Sequence, residues 1–373
     1  MAGFIKGHDE WDNKFFGVSD NEAVSVDPQQ RLVLDCTHMA LEDAGITRQQ
    51  LKGSHTGVYI GVMNDDYKSI SSFEHKEDSS YSATGMSTSI ISARVSYVYD
   101  LRGPCMVIDT ACSSSMMAIH LGSQAIKSGD CEMAVCGGVS LMLTPDQFLT
   151  LCKAKMLSPT GQCQSFCDTA DGYARGEGCG IVIIKSYKQA LHDRNKIWGI
   201  IKTGSNQDGH TAQPITAPSG EQQKKLMKKV YSQYKLDPTN LQYIEAHGTG
   251  TAIGDPTEVN AIGKFIQSYR QEQPPDKTDT DNNNENGIPS SNKVNNIAPI
   301  LIGSVKSNIG HLESAAGVAA LIKVLLMMKH GKFVPSLHVK KDKSNVNRKI
   351  IFDEHGLDIS LQVSEWNPNK EGD

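Results

Sequence analysis

No run in the 373 residues is long and apolar enough to span a membrane, and the opening residues (MAGFIKGHDEWDNKFF) hold no apolar signal-peptide core. Neither charge is in large excess: 37 Lys and Arg stand against 42 Asp and Glu, a net charge of -5. That balance removes the electrostatic case for nucleic acid or an anionic membrane surface as a partner. The lysine pairs at 224–225 and 228–229 fall in a mixed-charge helical stretch and read as a solvated face. Cysteine is missing altogether after Cys179, all nine lying between Cys36 and that position. An odd number, irregular spacing and no CxxC pair exclude a disulfide framework. Cys163 and Cys167 have no histidine at ligand spacing, so no metal is expected. Free thiols imply a reducing compartment, and the cytoplasm is the expected location.

What is present is globular: 38% hydrophobic and 21% charged residues. Short apolar runs at 56–62, 105–109, 133–139, 180–185, 197–202, 241–245 and 300–303 predict buried strands. Amphipathic stretches at 28–44, 86–99, 114–128, 219–235, 257–268 and 314–329 predict the helices between them. Strands alternating with helices indicate an α/β fold with largely parallel sheets. Two such series, 1–180 and 181–373, suggest two related halves. Residues 271–298 (QEQPPDKTDTDNNNENGIPSSNKVNNIA) break the order, because they hold almost no apolar surface to offset ordering entropy. They are expected to form a disordered surface insertion.

Three segments carry chemistry. In DTACSSS (109–115) a strand runs into a helix through small residues, with Cys112 at the turn. A thiol there meets unpaired backbone N–H groups and the positive end of the helix dipole, which favour a thiolate and later an oxyanion. The competing reading is a small buried cysteine. In YIEAHGTGTAIGDPTE (243–258) a strand delivers His247 to a glycine-rich loop, and Asp255, Pro256 and Glu258 read as a helix N-cap and acidic first turn. The loop lacks the Lys-Ser/Thr ending of a P-loop, and a satisfied core histidine is the alternative. SVKSNIGHLESAAG (304–317) repeats the arrangement, ending in His311, where a neutral imidazole can donate N–H to a developing oxyanion. Lys306 either orients that histidine or is a surface lysine.

Together, DTACSSS, EAHGTGTAIGDPTE and KSNIGHLESAAG resemble, in order, the three active-site blocks of beta-ketoacyl synthases from type I polyketide synthases and animal-type fatty acid synthases. DPQQR (27–31), ALEDAG (40–45) and ADGYARGEG (170–178) extend the resemblance to nearly the whole chain. The resemblance implies a thiolase-like fold of two duplicated halves in α-β-α-β-α layers, usually a homodimer. It implies that Cys112 takes an acyl group from the phosphopantetheine of an acyl carrier protein, with no cofactor bound by this chain itself. His247 and His311 would stabilise the enolate formed when a malonyl-type thioester loses carbon dioxide, Lys306 would hold the second histidine, and Thr249 and Thr251 would bind the pantetheine arm. Asp168, Asp171, Arg175 and Glu177 are expected to form bracing ion pairs around the site. The absence of a late cysteine separates the chain from degradative thiolases, and His311 separates it from branches that carry Asn there.

Relatives open with an apolar strand and glycine-rich turn and close with a GFGGTNAH-like block, neither of which is found here. The expectation from sequence is therefore a domain truncated at both ends, weakly stable and weakly active in isolation. The rival to an enzyme is then a dimerising or carrier-docking module. A stand-alone fatty-acid condensing enzyme of the organellar type fits DTACSSS and KSNIGHLESAAG less well.

Overall fold

The computed structural model describes residues 1–73, 79–272 and 299–366. Strands β1 (Thr56–Gly61), β2 (Cys105–Ile108), β3 (Met133–Ser140) and β4 (Gly178–Lys185) form one sheet in the order β2-β1-β3-β4. β1 runs parallel to β2 and β3, with Val58 opposite Cys105 and Thr56 opposite Met133, while β4 is antiparallel to β3. Every residue of β1 and β3 is buried, as expected of strands covered on both faces. A second, parallel sheet contains β5 (Tyr243–Glu245), β6 (Ile300–Gly303) and, after the short strand β7 (Lys332–Phe333), β8 (Leu357–Ile359). β7 pairs antiparallel with β9 (Ser364–Glu365), and Phe333 stacks on Trp366 beside this ribbon.

Helices layer these sheets. Pro28–Asp43 and Thr88–Tyr99 cover the outer face of the first sheet around Val33, Leu34, Ile91 and Val95. Ser114–Ser128 lies on its other face and meets Ala316–His330, so two small-residue helices form the central layer. Gly220–Tyr234 and Gly254–Glu272 flank the second sheet. Mixed α/β layering of this kind is the thiolase-like arrangement expected from the sequence.

Two glycines make the central contact close enough. A Cβ on Gly61 would stand 2.6 Å from the backbone of Ser114, and one on Gly122 would collide with the Cys136 sulfur. The start of helix Ser114–Ser128 is therefore pressed against the end of β1. Its buried positions, Ser114, Ser115, Ala118, Ile119, Gly122 and Ala125, make one continuous face. Apart from Met116, Lys127 and Ser128, the remaining positions of the helix are half-buried, so it is enclosed over most of its surface.

One strand expectation fails. Residues 197–202 form no strand: Ile197 and Ile200 are exposed, while Ile201 packs on the central layer. An apolar run alone does not make a strand without neighbouring backbone to pair with. The expected insertion at 271–298 lies outside the described residues except for Gln271 and Glu272, which end a helix.

Candidate active site

β2 ends at Ile108, and three residues later the backbone turns sharply into helix Ser114–Ser128. Ala111 takes a left-handed φ of 54°, a costly conformation for a residue with a Cβ. Side chains hold it there. Asp109 accepts from the Ala111 N–H at 2.9 Å, and the Ser114 hydroxyl accepts from the Thr110 N–H at 2.9 Å and donates to the Ala111 carbonyl at 2.6 Å. The turn presents Cys112 half-buried ahead of the first helical turn. Burial pushes the thiol pKa up, the Glu313 charge pushes it further, and the Lys306 ammonium opposes both. The net upward shift runs against the lowering expected from the helix end alone, because a helix terminus acts on a thiol that has also lost solvent.

His247 follows β5. Its backbone N–H and that of Gly248 donate to the two oxygens of Glu258, at 2.6 and 2.9 Å. The loop then folds back through Gly250, whose φ is +79° and where a Cβ would come within 2.6 Å of the Gln164 N–H nitrogen. Asp255 is not the N-cap that its spacing suggested. The helix starts at Gly254, and the buried Asp255 carboxylate reaches back to the N–H groups of Gly250 and Thr251 and across to that of Phe166 at 2.8 Å. Burial raises its pKa to about 6. The Thr249 and Thr251 hydroxyls lie 3.3 Å apart, and Thr251 accepts from the Gly254 N–H.

His311 is 1% exposed. Its Nδ1 accepts from the Glu313 N–H at 3.2 Å, so in the neutral ring the proton sits on Nε2, which is buried and has no hydrogen-bond partner among the described residues. The His247 and His311 rings meet edge to face with centroids 5.3 Å apart, and Tyr173 packs on His311 at 5.1 Å. Burial pushes the His311 pKa well down, with Lys306, His247 and Arg175 adding to it. Dense surroundings and then Lys306 push His247 down as well, although that residue keeps a face open to solvent. A satisfied core histidine has no such open face.

Lys306 is the common neighbour. It is 3% exposed, which disposes of the surface-lysine reading, and its charge acts on Cys112, His247 and His311 alike. Burial lowers its pKa, while Glu258 and Glu245 favour its charged form. The charge of Lys306 thus bears on all three segments singled out in the sequence.

The four residues expected as bracing ion pairs behave differently. Asp168 and Asp171 are exposed, and the Glu177 carboxylate accepts from the N–H groups of Met142 and Ile5, at 2.9 and 3.0 Å. Arg175 does form a buried pair, but with Glu313, at 2.6 and 2.9 Å. Glu313, Tyr173 and Glu245 stand within the quoted motifs without a role, and Glu258 was read only as an acidic residue of a helix's first turn. A partner 138 positions away leaves no local signal.

Comparison with known proteins identifies the family of the chain. Residues 1–190 match the family model described as "Beta-ketoacyl synthase, N-terminal domain", and residues 199–276 and 283–340 match its C-terminal counterpart. Probable polyketide synthase 1 of Dictyostelium discoideum is 42% identical over 377 residues, covering 99% of this chain and 12% of that protein. Highly reducing polyketide synthase dmxL2 of Cryptosporiopsis sp. (strain 8999) is 40% identical, covering 95% of this chain and 14% of that protein. Among solved structures, the ketosynthase from module 6 of the bacillaene synthase of Bacillus subtilis 168 aligns with a TM-score of 0.83 at 37% identity, covering 98% of this chain and 58% of that one. The oxazolomycin ketosynthase domain OzmH KS7 of Streptomyces albus JA3453 aligns with a TM-score of 0.86 at 35% identity, covering 99% of this chain and 60% of that one. The chain thus spans about an eighth of the length of the curated relatives it matches.

Proposed function

The chain belongs to the beta-ketoacyl synthase family, and from that premise we propose that it condenses acyl units in polyketide assembly with Cys112, His247, His311 and Lys306 as its working residues. The observation that carries this reading is the His311 Nε2–H, without a partner among the described residues and set against His247 beside a buried lysine that also acts on Cys112.

The steps follow from charge. The Cys112 sulfur attacks the carbonyl carbon of a carrier-bound acyl thioester, and the departing phosphopantetheine thiol takes the proton. Lys306 offsets part of the cost of the thiolate. A malonyl-type thioester then enters. Its C–C bond to the carboxylate breaks, carbon dioxide leaves, and the electron pair moves toward the thioester oxygen, where two neutral imidazole N–H donors stabilise the enolate. Imidazoles held neutral suit this task, since donation requires an N–H and not a net charge. The enolate carbon attacks the acyl carbonyl on Cys112, and collapse of the tetrahedral adduct expels the Cys112 thiolate and frees a β-ketoacyl thioester.

The pantetheine arm belongs to the partner and not to this chain. Thr249, buried, and Thr251, half-buried, line the loop after His247 and have hydroxyls suited to its amides. The acyl carrier protein itself we place in the same synthase polypeptide, as a domain beyond the residues considered. The polyketide relatives favour polyketide over fatty-acid synthesis. A homodimer is supported by β2, an edge strand whose Cys105 and Met106 are exposed while β1 covers only its other side. Nine free thiols favour the cytoplasm.

Two assays test the reading. An acyl-pantetheine thioester should add one acyl group to Cys112 and none in Cys112→Ala. Carbon dioxide release from malonyl-pantetheine should fall about a hundredfold or more in His247→Ala and in His311→Ala. Acylation at another residue, or decarboxylation untouched by both substitutions, would remove the proposal.

A further inference from the structure

His311 owes its tautomer to a single backbone hydrogen bond, and that bond depends on the conformation of Glu313. Glu313 has a left-handed φ of +47°, unfavourable for a non-glycine residue, and it is fully buried. Its N–H is the donor to His311 Nδ1. If Glu313 relaxed into an ordinary conformation, that N–H would turn away. Nδ1 would then be free to carry the proton, and Nε2 would face the site as an acceptor.

The Glu313 side chain is anchored from three directions. Arg175 grips both oxygens, at 2.6 and 2.9 Å, Asn64 Nδ2 donates at 2.8 Å, and the Ser140 hydroxyl donates at 3.3 Å. Arg175 is itself fixed. The backbone on either side of it brackets His311: the His311 N–H donates to the Ala174 carbonyl at 2.7 Å, and the Gly176 N–H donates to the His311 carbonyl at 2.8 Å. Its guanidinium also lies over the Phe148 ring at 4.6 Å. The ion pair and the imidazole are thus two ends of one clamp, closed between residues 174–176 and 311–313.

We infer that the Arg175–Glu313 pair, with Asn64, is a positioning device that fixes His311 as the Nε2–H tautomer and aims that proton into the site. This rests on the reading of His311 as an enolate-stabilising donor. A buried ion pair is a poor investment in stability alone, since burying two charges costs about as much as their attraction returns. A tautomer lock gives such a pair a purpose.

The test uses 15N-histidine-labelled protein, with His311→Gln assigning the His311 resonances. Glu313→Gln leaves Arg175 without its anion and can unfold the chain, so the main variant is the double substitution Arg175→Met with Glu313→Gln, which strands no charge. In the unsubstituted chain His311 Nε2 should be protonated and Nδ1 bare. In the double variant, with a melting temperature close to that of the parent, both nitrogens should shift toward a mixed tautomer. Malonyl-pantetheine decarboxylation should fall about a hundredfold, while iodoacetamide should still alkylate Cys112, with a pH midpoint moved down by loss of the Glu313 charge. A folded double variant that keeps the pure Nε2–H tautomer overturns the inference. A mixed tautomer with unchanged decarboxylation upholds the clamp and contradicts instead the catalytic reading of His311.

Discussion

Lys306 is the residue through which the site's electrostatics pass. Its ammonium lowers the pKa of Cys112 and of both histidines, so its removal should raise all three, disfavouring the thiolate and easing protonation of the rings. In Lys306→Ala the pH midpoint for iodoacetamide alkylation of Cys112 should move to higher pH, because the thiolate loses its cation. In the same variant the histidine pKa values should rise toward their ordinary value, measurable by titration of labelled rings. His311 also makes folding stability depend on pH. Its folded pKa lies well below the ordinary 6.5, so an unfolded chain takes up the proton first as pH drops. The contribution of neutral His311 is therefore complete above about pH 7 and is lost as pH falls below 6.5 toward the folded value. Melting temperatures at pH 7.5 and pH 5 should differ less in His311→Gln than in the parent. Equal differences would mean that the ring is not buried in neutral form.

Elements position these residues, and the loop after β5 is the most exacting of them. Gly250 combines a left-handed φ with a contact no Cβ can share. Gly250→Ala should lower unfolding stability by about 2 kcal/mol, measured by urea denaturation, and should reduce decarboxylation by moving His247. The sequence made much of this element level legible, and the reasons are local. β1 and β3 are uninterrupted apolar runs buried on both faces, and helix Ser114–Ser128 begins where the pattern changes period. Motifs fixed which residues leave each strand end. What escaped was non-local. Residues 197–202 have a strand's composition without a strand's partner. Asp255 has an N-cap's spacing, yet its carboxylate is drawn to three backbone N–H groups that only the folded loop assembles. Arg175 stands among acids near it in sequence, whereas the fold pairs it with Glu313, 2.6 Å away and buried with it.

At the scale of the whole molecule, the first sheet ends on β2, immediately ahead of Cys112. If two copies pair through this edge, dimerisation and the nucleophile turn share the same strand. Met106→Lys places a charge on that edge, and it should weaken the dimer about tenfold or more in sedimentation equilibrium while leaving the far-UV spectrum unchanged. A dimer indifferent to this change would put the interface elsewhere. The convergence of three distant loops on Lys306 is the larger claim, and a short bifunctional alkylating reagent measures it without relying on turnover. A three-carbon dihaloketone reacts first with the thiol and then with a nucleophilic nitrogen within about 5 Å. Peptide mass spectrometry should find Cys112 bridged to His247, whose open face offers access, and the bridge should vanish in His247→Ala. A Cys112 adduct that stays singly attached, or that joins a residue outside the segments 243–258 and 304–317, would contradict the single shared site.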